Sequence, residues 1–232
     1  ENDAFGSLAL DALTTGFGNA ALGRDALGSL TSGSLNTGIG VNSGNSITTG
    51  VRHTTIGQAA GTNLVGGNDC IAIGEGTNFS STTAASQIVL GSDVTCIANG
   101  NFTFGSGTID SNISNGATTI TAPSDIRLKE DIQDEEVGLN FINDLRPVTF
   151  RWKKGKDVPS EMKAHNPDSD KRVMNGKYNH GFIAQEVKEV IDNYNLKDGF
   201  DMWTEDEADG RQRIGEAALM PLMVKAVQEL SA

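Results

Sequence analysis

Glycine returns every seventeen residues through the first part of this chain, and that spacing constrains the fold more than anything else. Gly6, Gly23, Gly40, Gly57, Gly74 and Gly91 recur without a slip, each after a large apolar residue: Phe5, Leu22, Ile39, Ile56, Ile73 and Leu90. Ten residues beyond the first four stand Gly16, Gly33, Gly50 and Gly67, and between them, seven residues after the first glycine of each unit, Leu13, Leu30, Ile47 and Leu64. Asn2, Asn19, Asn36 and His53 open the same units. A fixed period means one small unit stacked on itself. Seventeen residues are too few for a helix pair but hold one or two short strands and two tight turns, where glycines suit a positive φ. Collagen is excluded, because its glycine period is three. The expected fold of residues 1–98 is a β-roll or β-helix shaft.

Each unit offers only two or three large apolar side chains, so a single thin coil would have a poor core and exposed edges. Three chains around one axis would remedy both, which predicts a homotrimer. The second part of the chain has a different composition. Of 28 Gly, 20 lie in residues 1–107, whereas all ten Lys and both Trp follow Ser124, and no Pro precedes Pro123. Residues 1–123 carry two Arg against eight acidic residues, and residues 124–232 sixteen cationic against twenty-two acidic, so each part contributes −6 to the net −12. That balance argues against sequence-independent nucleic-acid binding, which needs phosphate-neutralising cations. No run approaches 18 apolar residues, so no membrane insertion is expected. Cys70 and Cys96 are too few for a disulfide framework and read as buried thiols. His53 and His165 are isolated and His180, beside Gly181 and Phe182, reads as structural, so neither a metal centre nor a cofactor is expected. The start at Glu1, without a Met, reads as a piece of a longer protein.

Residues 99–123 read as a transition or fibre tip, with period-two alternation among Gly and Asn turns. Phe102 and Phe104, set among Asn, Ser and Thr, are candidate sugar-contacting residues; ordinary strand packing is the alternative. From residue 124 to 232 an α+β domain is expected. Ser124 and Asp125 suit a cap, Leu139, Ile142 and Leu145 have helical spacing stopped by Pro147, and VTFRW alternates as a strand. Residues 155–180 read as a solvated excursion. Ile183, Val187, Val190, Ile191 and Tyr194 share a helical face, and an acidic hairpin follows at 198–214. The closing helix carries Leu219, Met223, Ala226 and Leu230 in one stripe with Met220, Val224 and Val227 beside it. That pattern suits a bundle of more than two helices, with Pro221 in the first turn. A single amphipathic helix packed on its own domain would show the same spacing.

The units NAALG, NTGIG and NDCIAIG, over roughly residues 1–92, are similar to head repeats of trimeric autotransporter adhesins and of phage tail fibres. More specifically, SDIRLKEDI, LRPVTFRWK, HGFIAQEV and LMPLMVKAVQEL, in that order, resemble the endosialidase-type, self-cleaving intramolecular chaperone domain of phage tail spikes and fibres. The resemblance implies a domain that trimerises, folds the preceding shaft and cuts itself off. It makes Ser124 the nucleophile, Lys129 the general base and Pro123–Ser124 the scissile bond. Lysine acts as a base only when neutral; Arg127 and the trimer interface would supply the environment that keeps Lys129 so, and Asp125 would orient the turn or accept a hydrogen bond from a neighbouring chain. It further implies a virion location after assembly in the host cytoplasm and attachment to a host cell-surface polysaccharide; L-shaped lateral fibres of siphophages are one such fibre. A trimeric bacterial adhesin fits the repeats but not the C-terminal part, which is no membrane-anchoring barrel. A glycan-degrading spike needs two opposed carboxylates, which the shaft lacks among aromatic neighbours, so such an activity would lie upstream.

Overall fold

Each seventeen-residue unit contributes one short strand, and the strands stack in parallel with every residue over its counterpart one unit on. In the computed structural model, which describes residues 1–196 and 200–232, these are β1 (Asp3–Phe5), β2 (Ala20–Leu22), β3 (Thr37–Ile39), β4 (Thr54–Ile56), β5 (Ile71–Ile73) and β6 (Ile88–Ser92). The chain is a β-solenoid followed by a region of short helices and hairpins. It divides into two compact units, Glu1–Glu130 and Asp131–Ala232. Loss of the glycine period after Gly91 does not end the sheet. β7 (Asn101–Ser106) still pairs in parallel with β6, Ile88 opposite Phe102, so this coil has simply shortened to fourteen residues. β8 (Ile109–Ser114) then folds back antiparallel on β7.

In β2 to β6 the middle residue of the paired triplet points inward: Ala21, Gly38, Thr55, Ala72 and Val89 are buried, as are Leu30, Ile47 and Leu64 from the turns. The flanking strand residues point outward, because side chains alternate across a strand. Small inward residues let the coil flatten, and Leu27 lies over the Cα of Gly38, where a methyl group would meet its side chain at 2.7 Å.

The two glycine ladders have different physical causes. The first has φ between 118° and 146°, a region L side chains rarely adopt. The second does not share that reason throughout. Gly67 has φ 88°, but Gly16, Gly33 and Gly50 do not have a positive φ. At Gly16 and Gly33 a Cβ would overlap the carbonyl oxygen of the glycine one coil on, and at Gly50 it would overlap His53. Close approach of coils, rather than handedness, excludes a side chain there. Positive φ also recurs at Leu8, Asp25, Asn42, Ala59, Gly76 and Asp93, again one per coil.

Asn2, Asn19, Asn36, His53, Cys70 and Gln87 form a further ladder, buried from Asn19 onward. The Asn19 backbone N–H and side-chain amide both donate to Asn2 Oδ1 at 2.9 Å. Asn36 repeats this on Asn19 at 3.0 and 3.1 Å, and also donates to the Gly50 carbonyl at 2.8 Å. His53 N–H donates to Asn36 Oδ1 at 2.9 Å, and Cys70 N–H donates to His53 Nδ1 at 3.3 Å. His53 Nε2 faces the Gly67 carbonyl without completing a hydrogen bond.

Burial lowers the His53 pKa from its ordinary 6.5, with Arg52 and Asp69, paired with each other at 2.8 Å, acting in opposite senses. The unfolded chain therefore takes up a proton that the folded coil refuses, and stability falls as pH drops below about 6.5. His53→Asn, which extends the ladder with its own residue, is expected to remove that dependence. Melting curves of both proteins between pH 7.5 and 5 check it: the parent should lose melting temperature across the range and the variant much less.

In the second unit, α1 (Leu139–Asp144) is followed by β9 (Val148–Phe150), which pairs antiparallel with β10 (Asn179–Gly181). Then come α2 (Ala184–Asn193), the hairpin β11 (Trp203–Glu205) and β12 (Gln212–Ile214), and α3 (Met220–Ser231). Residues 197–199, which include the start of the expected acidic hairpin, lie outside the described residues. Phe141, Leu145, Val187, Met202, Leu219 and Leu222 form the core, with Tyr194 and Phe200 edge-on to the Phe141 ring at 5.3 and 6.0 Å. The start of α1 is closed by α3: Leu139 N–H donates to Glu229 Oε2 at 2.8 Å. α3 turns Leu222 and Ala226 inward and leaves Met220, Met223, Val224, Val227 and Leu230 exposed. The heptad reading of the sequence missed Leu222 as the inward residue.

Candidate functional site

Pro123 and Ser124 lie in an exposed stretch without regular secondary structure that leads into a single 3-10 turn, Ile126–Leu128. Asp125 makes that turn. Its backbone is extended (φ −69°, ψ 135°) and its carboxylate accepts the Arg127 N–H at 2.9 Å, as a capping side chain does. Lys129 closes the turn by donating its N–H to the Ile126 carbonyl. With three residues per turn, the chain doubles back enough to bring the ends of the motif together. Lys129 Nζ stands 2.7 Å from Ser124 Oγ.

That distance is within direct proton-transfer reach. A lysine serves as a base only when neutral, and removal from water favours that form. Here both side chains are exposed, and so are Ile126 and Leu128 between them. Arg127 is paired within the turn. Its guanidinium holds the Asp125 carboxylate at 2.6–3.1 Å, which lowers the Asp125 pKa and offsets the positive charge. Asp125 thus caps the turn and pairs with the Arg127 side chain.

Phe102 and Phe104 lie in β7, half-buried, with ring centroids 5.2 Å apart. They share the outward face with Ile88 and Leu90, their partners in β6. His180 is exposed in β10 opposite Thr149, and His165 Nδ1 lies 2.7 Å from the Val158 carbonyl. Among the described residues no group of three or more His, Cys, Asp or Glu side chains is placed to hold a metal ion.

Residues 124–196 match the family model described as chaperone of endosialidase. The chain carries an endosialidase-type chaperone domain. The match opens on Ser124 and takes in three of the four motifs; the closing helix lies beyond it. No curated protein and no solved structure matches the chain. A chaperone domain of this family following a β-solenoid supports a phage tail fibre or tail spike with its own chaperone.

Proposed function

We propose that this chain is the distal part of a viral receptor-binding tail fibre, such as a siphophage lateral fibre, which attaches to a host cell-surface polysaccharide. The endosialidase-type chaperone domain assembles it as a homotrimer in the host cytoplasm and then releases itself by cutting Pro123–Ser124. The observation that carries the reading is the 2.7 Å approach of Lys129 Nζ to Ser124 Oγ at the residue where the family match begins.

In the reaction, Ser124 Oγ attacks the Pro123 carbonyl carbon while neutral Lys129 takes the hydroxyl proton. The C–N bond breaks, and the proton passes to the departing amine, the α-nitrogen of Ser124 itself. The Pro123 acyl group is left as an ester on Oγ. Water hydrolyses the ester, giving a Pro123 carboxylate and a Ser124 hydroxyl with a free amino terminus. Assembly controls the step. Ile126 and Leu128, exposed on either side of Arg127, are apolar surface that neighbouring copies cover, and covering them excludes water from Lys129. The exposed Met220, Met223, Val224, Val227 and Leu230 of α3 supply a second apolar face for the same association.

The test is intact mass spectrometry with light-scattering chromatography on the parent and on Ser124→Ala. The parent is expected as two fragments meeting at Pro123–Ser124, and the variant as an uncut trimer. A folded but uncut parent would remove the protease role and leave the chaperone and shaft. Monomers in both samples would remove the assembly argument.

A further inference from the structure

One outward ladder of the solenoid is apolar from end to end. Phe5, Leu22, Ile39, Ile56, Ile73 and Leu90, the last residue of each strand triplet, stack directly over one another, and Phe104 continues the row in β7. The neighbouring row on the same face ends in Ile71, Ile88 and Phe102. We infer that this face is where copies of the chain meet along the shaft, with the ladders of three copies converging on a common axis. The inference rests on the homotrimer proposed above and assigns the surface that makes it.

Three observations select another copy of this chain as the occupant. The first is charge. Residues 1–123 carry a net −6, yet the strand triplets and β7 hold a single charged residue, Asp3, in the first strand. Like-charged shafts can approach closely only through a face without charge. Other exposed apolar residues do not form such a face: one coil before or after, Val41 is flanked by Arg24 and Gln58, Leu35 by Gly18 and Arg52, and Val65 by Thr48 and Thr82.

The second is spacing. The rungs recur at the inter-strand distance of about 4.8 Å, so only a surface with the same repeat can interleave with all of them. Another copy of this solenoid has that repeat by construction of its own sequence. The third is area. Phe5, Leu22, Ile39, Ile73, Ile88 and Leu90 remain 37–75% exposed. At roughly 150–200 Å² per large side chain they leave apolar area on the order of 500 Å². That is the size of patch that marks an interaction site. The half-buried rungs and a polar rim bring it towards the ~800 Å² per partner of a specific interface. Phe102 and Phe104 then pack between copies, at the end of the ladder, and the receptor contact lies on another surface.

The test uses the whole chain with Ser124→Ala, so that shaft and chaperone domain stay joined, and single cysteines at Ile39→Cys, Ile73→Cys and, off the ladder, Gln58→Cys. Native Cys70 and Cys96 are buried. After treatment with a short bismaleimide, the two ladder cysteines are expected to give covalent dimers on a denaturing gel and Gln58→Cys only monomers. If light scattering finds trimers but neither ladder cysteine cross-links, this face is not the interface and the homotrimer stands. If the uncut parent is monomeric, the homotrimer reading fails and this inference with it. A ladder cysteine that cross-links no better than Gln58→Cys also overturns it.

Discussion

Replacing Lys129 by Met is expected to leave the chain uncut, folded and trimeric, with self-cleavage slowed at least about a hundredfold, the smaller end of what a positioned general base contributes. Lys129→Arg should be as inactive. A guanidinium can still donate a hydrogen bond to Ser124 Oγ, but it stays protonated at any pH the protein survives and so cannot accept the hydroxyl proton. The pair of variants separates a base from a residue that merely holds the turn. If Lys129→Arg cleaves at the parent rate, the 2.7 Å contact is structural and the dyad is wrong. The readout is the fraction of intact chain against time by mass spectrometry, with light scattering to show that assembly is unchanged.

Arg127 serves as a control for the same argument. Its guanidinium is held by Asp125, so Arg127→Ala should slow cleavage far less than either Lys129 variant. The exposed Asp125–Arg127 pair adds little to stability, as surface ion pairs do. The capping bond from Arg127 N–H to Asp125 is a backbone donation that the variant keeps.

The stacking of the shaft was legible from its period, and the reason is geometric: a parallel in-register solenoid must repeat its sequence wherever one coil touches the next. The causes were less legible than the pattern. Gly16 and Gly33 keep their place through contact with the next coil and not through φ, which a one-dimensional spacing cannot distinguish. The left-handed turn at Leu8, Asp25, Asn42 and Ala59 was invisible, because stacking imposes the backbone on whatever residue is there. His53 has no histidine partner, but its seventeen-residue distance from Asn36 already put it in the Asn series, and the coils set it between Asn36 and Cys70. In α3, the stripe from Leu219 to Leu230 assumed one continuous helix. Residues Glu216–Leu219 instead form a 3-10 turn, and the buried residues are Leu219, Leu222 and Ala226, steps of three and four that fit a helix as well as the four and three read from the sequence. Ser124 and Lys129 are five apart, a spacing too common to carry a role, so the resemblance supplied the chemistry and the 3-10 turn supplied the contact.

The largest expected loss of stability comes from one methyl group. Gly40 has φ 123°, and a Cβ there would stand 2.6 Å from the Gly57 carbonyl oxygen and 2.7 Å from its carbonyl carbon. Neither can yield easily. The Gly40 N–H donates to the Leu22 carbonyl at 2.8 Å, and the Gly57 N–H to the Ile39 carbonyl at 2.8 Å, so moving either backbone breaks the stack on both sides. Gly40→Ala therefore combines a disfavoured backbone region with a backbone overlap, together roughly 3 kcal/mol or more. Gly107 is the matched control. It too has a positive φ, 58°, but nothing lies within 4 Å of an added Cβ, so Gly107→Ala meets only the left-handed penalty of about 1–2 kcal/mol. Denaturant unfolding of both variants, followed by limited proteolysis, reads the difference. Coils on either side of Gly40 should become protease-sensitive in Gly40→Ala while Gly107→Ala stays resistant. Because each coil contacts only its neighbours, a Gly40→Ala shaft that keeps its full midpoint would mean that the coils do not rest on one another as closely as this ladder requires.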